Sequence, residues 1–169
     1  MSMTHYMELL TSPLNLLLFM AIPVALAETL AITEFYILYN NATSGPVRAV
    51  NRAAGIAVGL YFLGVFVYLM LVAVVPLTQS GQWRGWIDVL AVGSYLAGVV
   101  PLGGIALLEL RLIFRDRNDR QKLAIHAGLI SLFLIVGHVA MVFGMVDPRL
   151  GGWTGSPGVQ QPVGGHATH

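Results

Sequence analysis

The sequence contains no cysteine and very little charge. The absence of cysteine excludes disulfides, thiolate-bound zinc, iron–sulfur clusters and covalently attached haem. Only 10% of the residues are charged, against about 25% in a typical soluble domain. A chain this poor in charge cannot cover a water-facing surface, so most of its exterior must face lipid or other apolar protein. The net charge of +1 gives no reason to expect nucleic acid as a partner.

Common catalytic motifs are missing as well. The sequence has no phosphate-binding glycine loop, no HExxH zinc motif, and no nucleophile convincingly paired with a base. Most of its glycines fall within apolar stretches, where small residues let helices approach closely. We therefore do not expect catalytic activity from the isolated chain.

Apolar residues are abundant, at 56% of the chain, and the mean hydropathy is +0.75. A membrane core about 30 Å thick needs roughly 20 apolar helical residues to span it. Four segments qualify, at about 13–39, 53–77, 87–110 and 123–146. The sequence predicts an all-α integral membrane protein, an antiparallel four-helix transmembrane bundle within residues 1–149. A short interfacial helix would precede it, and a Gly/Pro-rich external tail at 150–169 would follow.

The basic residues are distributed unevenly. Seven of the nine Lys and Arg residues lie in two short segments, at Arg48, Arg52, Arg111, Arg115, Arg117, Arg120 and Lys122. Short loops rich in Lys and Arg stay on the cytoplasmic side of a membrane. This pattern predicts a multi-pass protein of a bacterial-type cytoplasmic (inner) membrane, with loops 40–51 and 111–122 cytoplasmic and the N- and C-termini outside.

Glycine and proline inside the spans indicate how the helices pack. Gly55 and Gly59 are four residues apart, which is the spacing of a small-residue packing face. Pro23 and Pro101 each remove a backbone hydrogen bond within a span, so we expect a kink at both positions.

Three ionisable residues, Glu34, Glu109 and His126, lie near the basic ends of their spans. A charged residue at the centre of a membrane helix costs about 2.5–3.5 kcal/mol, so such groups usually face the bundle and have a partner. One interpretation is structural, with carboxylates pairing with arginines and holding three helix ends together. The other is an entrance for protons or for a quinone headgroup.

Glu28 and His138 lie deeper in their spans. Their predicted heights differ by roughly 9 Å at 1.5 Å of rise per residue, so contact would need helix tilt or a bridging water. They form either a buried hydrogen-bonded pair that specifies packing or a site for proton transfer.

The last span carries a possible cofactor stripe. Ser131, His138 and Met145 are seven residues apart, and Met141 follows His138 by three, so all four share one helical face. Histidine with methionine suits haem iron or copper, although a Met stripe is more often packing. Because His126 and His138 are on one helix and twelve residues apart, they cannot both bind one haem. Haem b and quinone both remain possible cofactors.

Three functions are compatible with these features. The first is a small membrane subunit of a larger respiratory or redox complex, which anchors partners and handles quinone, haem b or protons through its Glu and His residues. The second is a small oligomeric permease or ion-coupled carrier, suggested by the two proline-interrupted spans. The third is a structural or assembly protein without a cofactor. In each case we expect the bilayer and either other membrane subunits or further copies of the chain as partners.

Overall fold

The computed structural model describes residues 3–41, 44–114 and 116–155. This part of the chain contains helices and no strand. The helices are α1 (His5–Leu10), α2 (Pro13–Asn40), α3 (Pro46–Ser80), α4 (Trp86–Glu109) and α5 (Asp119–Met145), followed by a 3-10 turn at Pro148–Gly151. Most of the predicted tail, residues 156–169, lies outside the described residues.

Helices α2 to α5 are each long and apolar enough to cross a membrane. The chain is therefore an all-helical, multi-pass membrane protein with four candidate spans, as the sequence predicted. The largest difference in boundaries is in α3, which begins at Pro46 rather than near residue 53. Gly45 adopts a φ of 108° and Pro46 occupies the first helical turn, where its missing N–H costs nothing. Arg48 and Arg52 consequently lie in a helix and not in a loop.

Helix α4 is the most enclosed of the four. Within its most apolar stretch 44% of the residues are buried, against 22%, 28% and 22% for α2, α3 and α5. Its first half packs mainly on α5 and its second half mainly on α3, while α2 packs on α3. The core residues that exclude solvent completely come from α2, α3, α4 and α5, and include Leu30, Val58, Phe62, Ala91, Leu102, Ile105 and Ala140.

The predicted small-residue face joins α3 to α4. A Cβ on Gly59 would lie 2.6 Å from the carbonyl oxygen of Leu102 and would overlap the side chain of Ala106. A Cβ on Gly55 would lie 3.0 Å from Ile105. Both glycines therefore let the two helices approach more closely than any larger residue would allow.

Pro23 perturbs α2, and tyrosines from two other helices compensate. Residues Leu17–Ala21 form a π-helical segment just before the proline. Pro23 has no N–H to give the carbonyl of Phe19, which instead accepts a hydrogen bond of 2.5 Å from the Tyr95 hydroxyl. The neighbouring carbonyl of Leu18 accepts one of 2.8 Å from Tyr61.

Helix α4 is interrupted three residues before Pro101. Its two α-helical parts, Trp86–Ala97 and Val99–Glu109, meet at Gly98. A Cβ there would lie 3.0 Å from the carbonyl oxygen of Tyr95 and 3.2 Å from both Phe62 and Phe133. The interruption is thus packed tightly in the core.

The short N-terminal helix α1 docks on α4 and α5. The buried hydroxyl of Thr4 donates to the carbonyl of Gly144, and the backbone N–H of His5 donates to Asp88. The His5 ring Nδ1 lies 2.5 Å from the second Asp88 oxygen. At the surface, Glu8 and Arg84 form an ion pair of 2.6 Å. A short helix is therefore present at the N-terminal end of the described chain, and the buried carboxylate of Asp88 holds it in place.

Candidate functional site

The four long helices together enclose one group of charged and polar side chains, which we call the buried charge cluster: Glu34, Arg48, Asn51, Glu109 and His126. Glu34 comes from α2, Arg48 and Asn51 from α3, Glu109 from α4 and His126 from α5. All except Arg48 are buried. The predicted set of Glu34, Glu109 and His126 is therefore brought together.

His126 occupies the centre of the cluster and is only 1% exposed. Its Nδ1 lies 2.5 Å from a Glu34 oxygen and its Nε2 lies 3.6 Å from a Glu109 oxygen. Despite the short first distance, neither ring nitrogen has the alignment of a hydrogen bond, and Glu34 Oε1 has no partner. The contacts are therefore close approaches without hydrogen-bond alignment, and the ring nitrogens and Glu34 Oε1 retain unused hydrogen-bonding capacity.

Arg48 and Asn51 connect the two carboxylates along the face of α3. Arg48 lies 3.1 Å from Glu109 and donates a hydrogen bond of 2.9 Å to the Asn51 side chain. The Asn51 amide in turn donates to Thr33 at 2.9 Å and to Glu34 at 3.4 Å. Hydrogen bonds and an ion pair therefore join Glu34 to Glu109 through Asn51 and Arg48.

Gly55 provides the space for this arrangement. It follows Asn51 by four residues and Arg48 by seven, so the three lie on one face of α3. A Cβ at Gly55 would lie 3.4 Å from the Glu109 side chain and 3.6 Å from His126 Nε2. The spacing of Arg48, Asn51 and Gly55 therefore serves packing and charge pairing at once.

Beside the cluster, a pocket of about 250 Å³ lies among the helix ends. We call it the basic pocket. Of the residues that the structure describes, four cationic side chains, one carboxylate and three apolar side chains line it: Arg48, Arg52, Arg111, Lys122, Glu109, Ile37, Leu108 and Leu123. Arg48 and Glu109 belong to both the pocket and the cluster, so the cluster is connected to this opening.

A second cavity contains the two deep residues Glu28 and His138. This outer groove has a volume of about 220 Å³ and is lined mostly by apolar and aromatic side chains from α1, α2, α4 and α5, among them Tyr6, Phe19, Met20, Pro23, Ala27, Tyr95, Phe133, Gly137 and Met141. The side chains of both Glu28 and His138 are exposed at the outer surface of the chain.

The two ionisable residues of the outer groove, Glu28 and His138, have few hydrogen-bond partners among the described residues. His138 Nδ1 lies 2.6 Å from the Leu134 carbonyl, and since a carbonyl only accepts, Nδ1 is the donor, while Nε2 has no hydrogen-bond partner among the described residues. Among the described residues, no donor reaches the Glu28 carboxylate. The expectation that these two residues face the bundle interior as a hydrogen-bonded pair is not met, because α2 and α5 turn them outward.

The rest of the predicted cofactor stripe also lies on the outer surface. Met141 lines the outer groove beside His138, whereas Ser131 and Met145 do not. Ser131 donates to the Ala127 carbonyl, and Met145 is 63% exposed. Within the described part of the chain, no group of three His, Asp or Glu residues is placed to hold a metal ion.

Sequence reasoning missed three residues of these networks. Arg48 and Asn51 were assigned to a loop because the start of α3 was placed too late. Asp88, fully buried, was overlooked. A lone aspartate in the first turn of an apolar helix was the available signal, since a carboxylate there accepts backbone N–H groups and favours the helix dipole.

Comparison with known proteins gives the family and nothing more specific. No curated protein and no solved structure matches the chain. A family model matches residues 1–160 and is described as a family of unknown function, DUF6803. Since that match covers nearly the whole sequence, the chain belongs to the DUF6803 family.

Proposed function

We propose that this protein is a small integral membrane subunit of a larger redox complex and that its outer groove binds a quinone. In this proposal the bundle is antiparallel in a bacterial-type cytoplasmic membrane, with the two arginine-rich helix ends in the cytoplasm and both termini outside. The uneven distribution of Lys and Arg supports that orientation.

The observation that carries the proposal is the exposure of Glu28 and His138 in the apolar parts of two spans. Ionisable residues within membrane helices almost always face the bundle or a wet cavity and have a partner. Here no described residue supplies a partner for the Glu28 carboxylate or for His138 Nε2. An occupant of the groove must therefore bring hydrogen-bonding atoms into an otherwise apolar site.

A quinone has the required chemistry. Its ring oxygens accept and, after reduction, donate hydrogen bonds, while its tail is as apolar as the lipid. His138 Nε2 and the Glu28 carboxyl are the groups available to the headgroup, and aromatic rings such as Tyr95 and Phe133 provide the walls. Burial raises the pKa of the Tyr6 phenol to about 12, so this residue of the wall stays neutral at physiological pH.

The buried charge cluster supports proton handling by the same subunit. An imidazole between two carboxylates can accept a proton on either ring nitrogen and release it from the other. Arg48 and Glu109 connect this imidazole to the basic pocket, which in the proposed orientation opens to the cytoplasm. The cluster would thus exchange protons with that side.

Equilibrium binding tests the quinone site. The full chain is reconstituted in phosphatidylcholine nanodiscs and titrated with a radiolabelled short-chain quinone. Glu28→Gln and His138→Ala should each weaken binding by about fivefold to tenfold, which corresponds to the loss of about one hydrogen bond. The matched control is Ser131→Ala, on the same face of α5 but outside the groove. Equal binding by all three variants would contradict the site.

Purification from the native membrane tests the larger complex. The tagged chain should co-purify with redox subunits and with extractable quinone. A Soret band that disappears in His138→Ala would identify haem as the occupant of the groove instead. Recovery of the chain without any redox subunit would contradict membership in such a complex.

A structural or assembly role is the second candidate, and a specific observation favours it. Each of the four long helices contributes to the buried charge cluster, so the cluster can act as a clamp. Ala27 and Gly137 also give the outer groove the small residues that membrane helices use to approach one another. If His126→Gln abolishes assembly, the clamp is favoured; if it abolishes activity of an intact complex, proton handling is favoured. The permease hypothesis stays a prediction.

A further inference from the structure

We propose that the basic pocket binds a phosphate group, and that an anionic phospholipid headgroup supplies it. This site is separate from the outer groove and does not depend on the quinone proposal. Basic pockets between membrane helices are recognised binding sites for anionic headgroups when they lie at the cytoplasmic boundary.

The first argument is charge. Among the described residues, four cationic side chains and one carboxylate, that of Glu109, line a pocket of about 250 Å³. Arg48 is already within 3.1 Å of that carboxylate. Arg52 and Lys122 bring further positive charge to the same space, and a bound anion would reduce the repulsion among the cations.

The second argument is the backbone at Arg111. Leu112 N–H donates to the carbonyl of Leu107 and Arg111 N–H donates to that of Leu108, the pattern of a Schellman motif at the end of α4. Arg111 occupies the left-handed position with a φ of 59°. Glycine is the favoured residue there, because a side chain in this conformation is strained. In this chain the position that favours glycine is occupied by an arginine, and that arginine lines the basic pocket.

The third argument distinguishes a lipid from free phosphate. Ile37, Leu108 and Leu123 line the pocket beside the cations. The pocket also lies where the apolar spans end, which is the depth of the headgroups. A phospholipid can place its phosphate among the cations and its glycerol and first acyl carbons against the apolar side chains. Inorganic phosphate can contact only the cations.

The experiment measures lipid retention by the full chain. Protein is prepared in nanodiscs of phosphatidylcholine alone or mixed with phosphatidylglycerol, and bound lipid is counted by native mass spectrometry after partial delipidation. We expect preferential retention of phosphatidylglycerol. Arg52→Ala and Lys122→Ala should each reduce it by about fivefold, the loss expected for one cation near an anionic lipid. The matched control is Arg120→Ala, which removes the same charge from α5 two residues before Lys122 but outside the pocket.

Arg111→Gly separates binding from folding. This change places the favoured residue in the left-handed position and relieves the backbone strain there, and the thermal unfolding temperature is measured alongside lipid retention. Phosphatidylglycerol retention should nevertheless fall by about fivefold, as for the other two cations. A variant that keeps both stability and wild-type lipid retention would overturn the proposal.

The remaining outcomes are also decisive. Equal losses from Lys122→Ala and Arg120→Ala would show diffuse surface attraction and no pocket. Equal retention of phosphatidylcholine and phosphatidylglycerol would overturn the headgroup proposal. A second measurement then tests whether inorganic phosphate raises the unfolding temperature of the wild type but not that of Lys122→Ala. That last result would keep the phosphate site and assign it to the free anion.

Discussion

The buried charge cluster and the outer groove use the same residue types on the same two helices. Helix α2 supplies Glu34 to the cluster and Glu28 to the groove, and α5 supplies His126 and His138 in the same way. In the cluster the two side chains approach within 2.5 Å, whereas those in the groove are exposed. The two pairs differ in their surroundings, because α3 and α4 cover Glu34 and His126 but leave Glu28 and His138 open.

Helical geometry produces this difference. At 100° per residue, six residues turn Glu28 about 120° away from Glu34, and twelve residues turn His138 about 120° away from His126. Because Glu34 and His126 face the interior of the bundle, Glu28 and His138 cannot face it as well. The same two residue types therefore have different surroundings in the two regions. Whether neighbouring helices cover a Glu or a His in a membrane span determines what that residue can do.

Breaking the cluster should have the largest effect. Glu34→Ala removes one partner of a buried ion pair and leaves His126 and Asn51 without it, so we expect a loss of about 3 kcal/mol in the free energy of unfolding. Glu28→Ala, on the same helix, should cost nothing or stabilise the isolated chain. Denaturant unfolding in mixed micelles measures both. A similar loss in the two variants would remove the distinction between the regions.

Reducing the space around the cluster should have an intermediate effect. Gly55→Ala places a Cβ 3.0 Å from Ile105 and close to Glu109, and the required shift should cost about 1–3 kcal/mol. Gly64→Ala is the control on the same helix, since a Cβ there meets nothing within 4 Å. The two unfolding free energies are compared under identical conditions. A harmless Gly55→Ala would mean that the cluster is not tightly packed.

Removing the hydroxyl behind the groove should have a smaller effect. Tyr95→Phe leaves the Phe19 carbonyl without its donor in a buried position, for an expected loss of about 1–2 kcal/mol. Tyr68→Phe is the control, because Tyr68 stacks on the same Phe19 ring but is exposed. If both variants unfold at the same denaturant concentration as the wild type, the hydrogen bond from Tyr95 to the Phe19 carbonyl does not stabilise α2 before Pro23.

The smallest effect should come from the groove itself. His138→Ala in the isolated chain should change the free energy of unfolding by less than about 0.5 kcal/mol, as expected for an exposed side chain. The same variant should bind quinone about fivefold to tenfold more weakly. A large destabilisation would show that the contacts of His138, including the hydrogen bond to the Leu134 carbonyl, stabilise the fold, and would make the two regions more alike.

Much of the fold could be predicted from the sequence because it depends on length and hydropathy alone. The four spans follow from apolar runs, and the meeting of Glu34, Glu109 and His126 follows from their shared depth. The start of α3 could not be placed as well, because the polar run before Asn51 resembles a loop. Only the Gly45–Pro46 pair marks the true beginning of the helix.

The facing direction of Glu28 and His138 could not be predicted for a different physical reason. In water, the apolar stripe of a helix shows which side is inward. In lipid both sides of a helix are apolar. The depth of a residue in the membrane can therefore be predicted from the sequence, whereas the direction in which its side chain faces cannot. The docking of α1 by Asp88 and His5 was missed similarly, because it joins residues 83 positions apart.

The proline in α2 has a consequence for how the outer groove responds to an occupant. The carbonyls of Leu18 and Phe19 are tied by hydroxyl groups to α3 and α4, so α2 cannot slide or rotate here without breaking both ties. One wall of the groove is therefore fixed by its neighbours. Adjustment to a bound molecule falls to α5, where a Cβ at Gly137 would meet nothing within 4 Å.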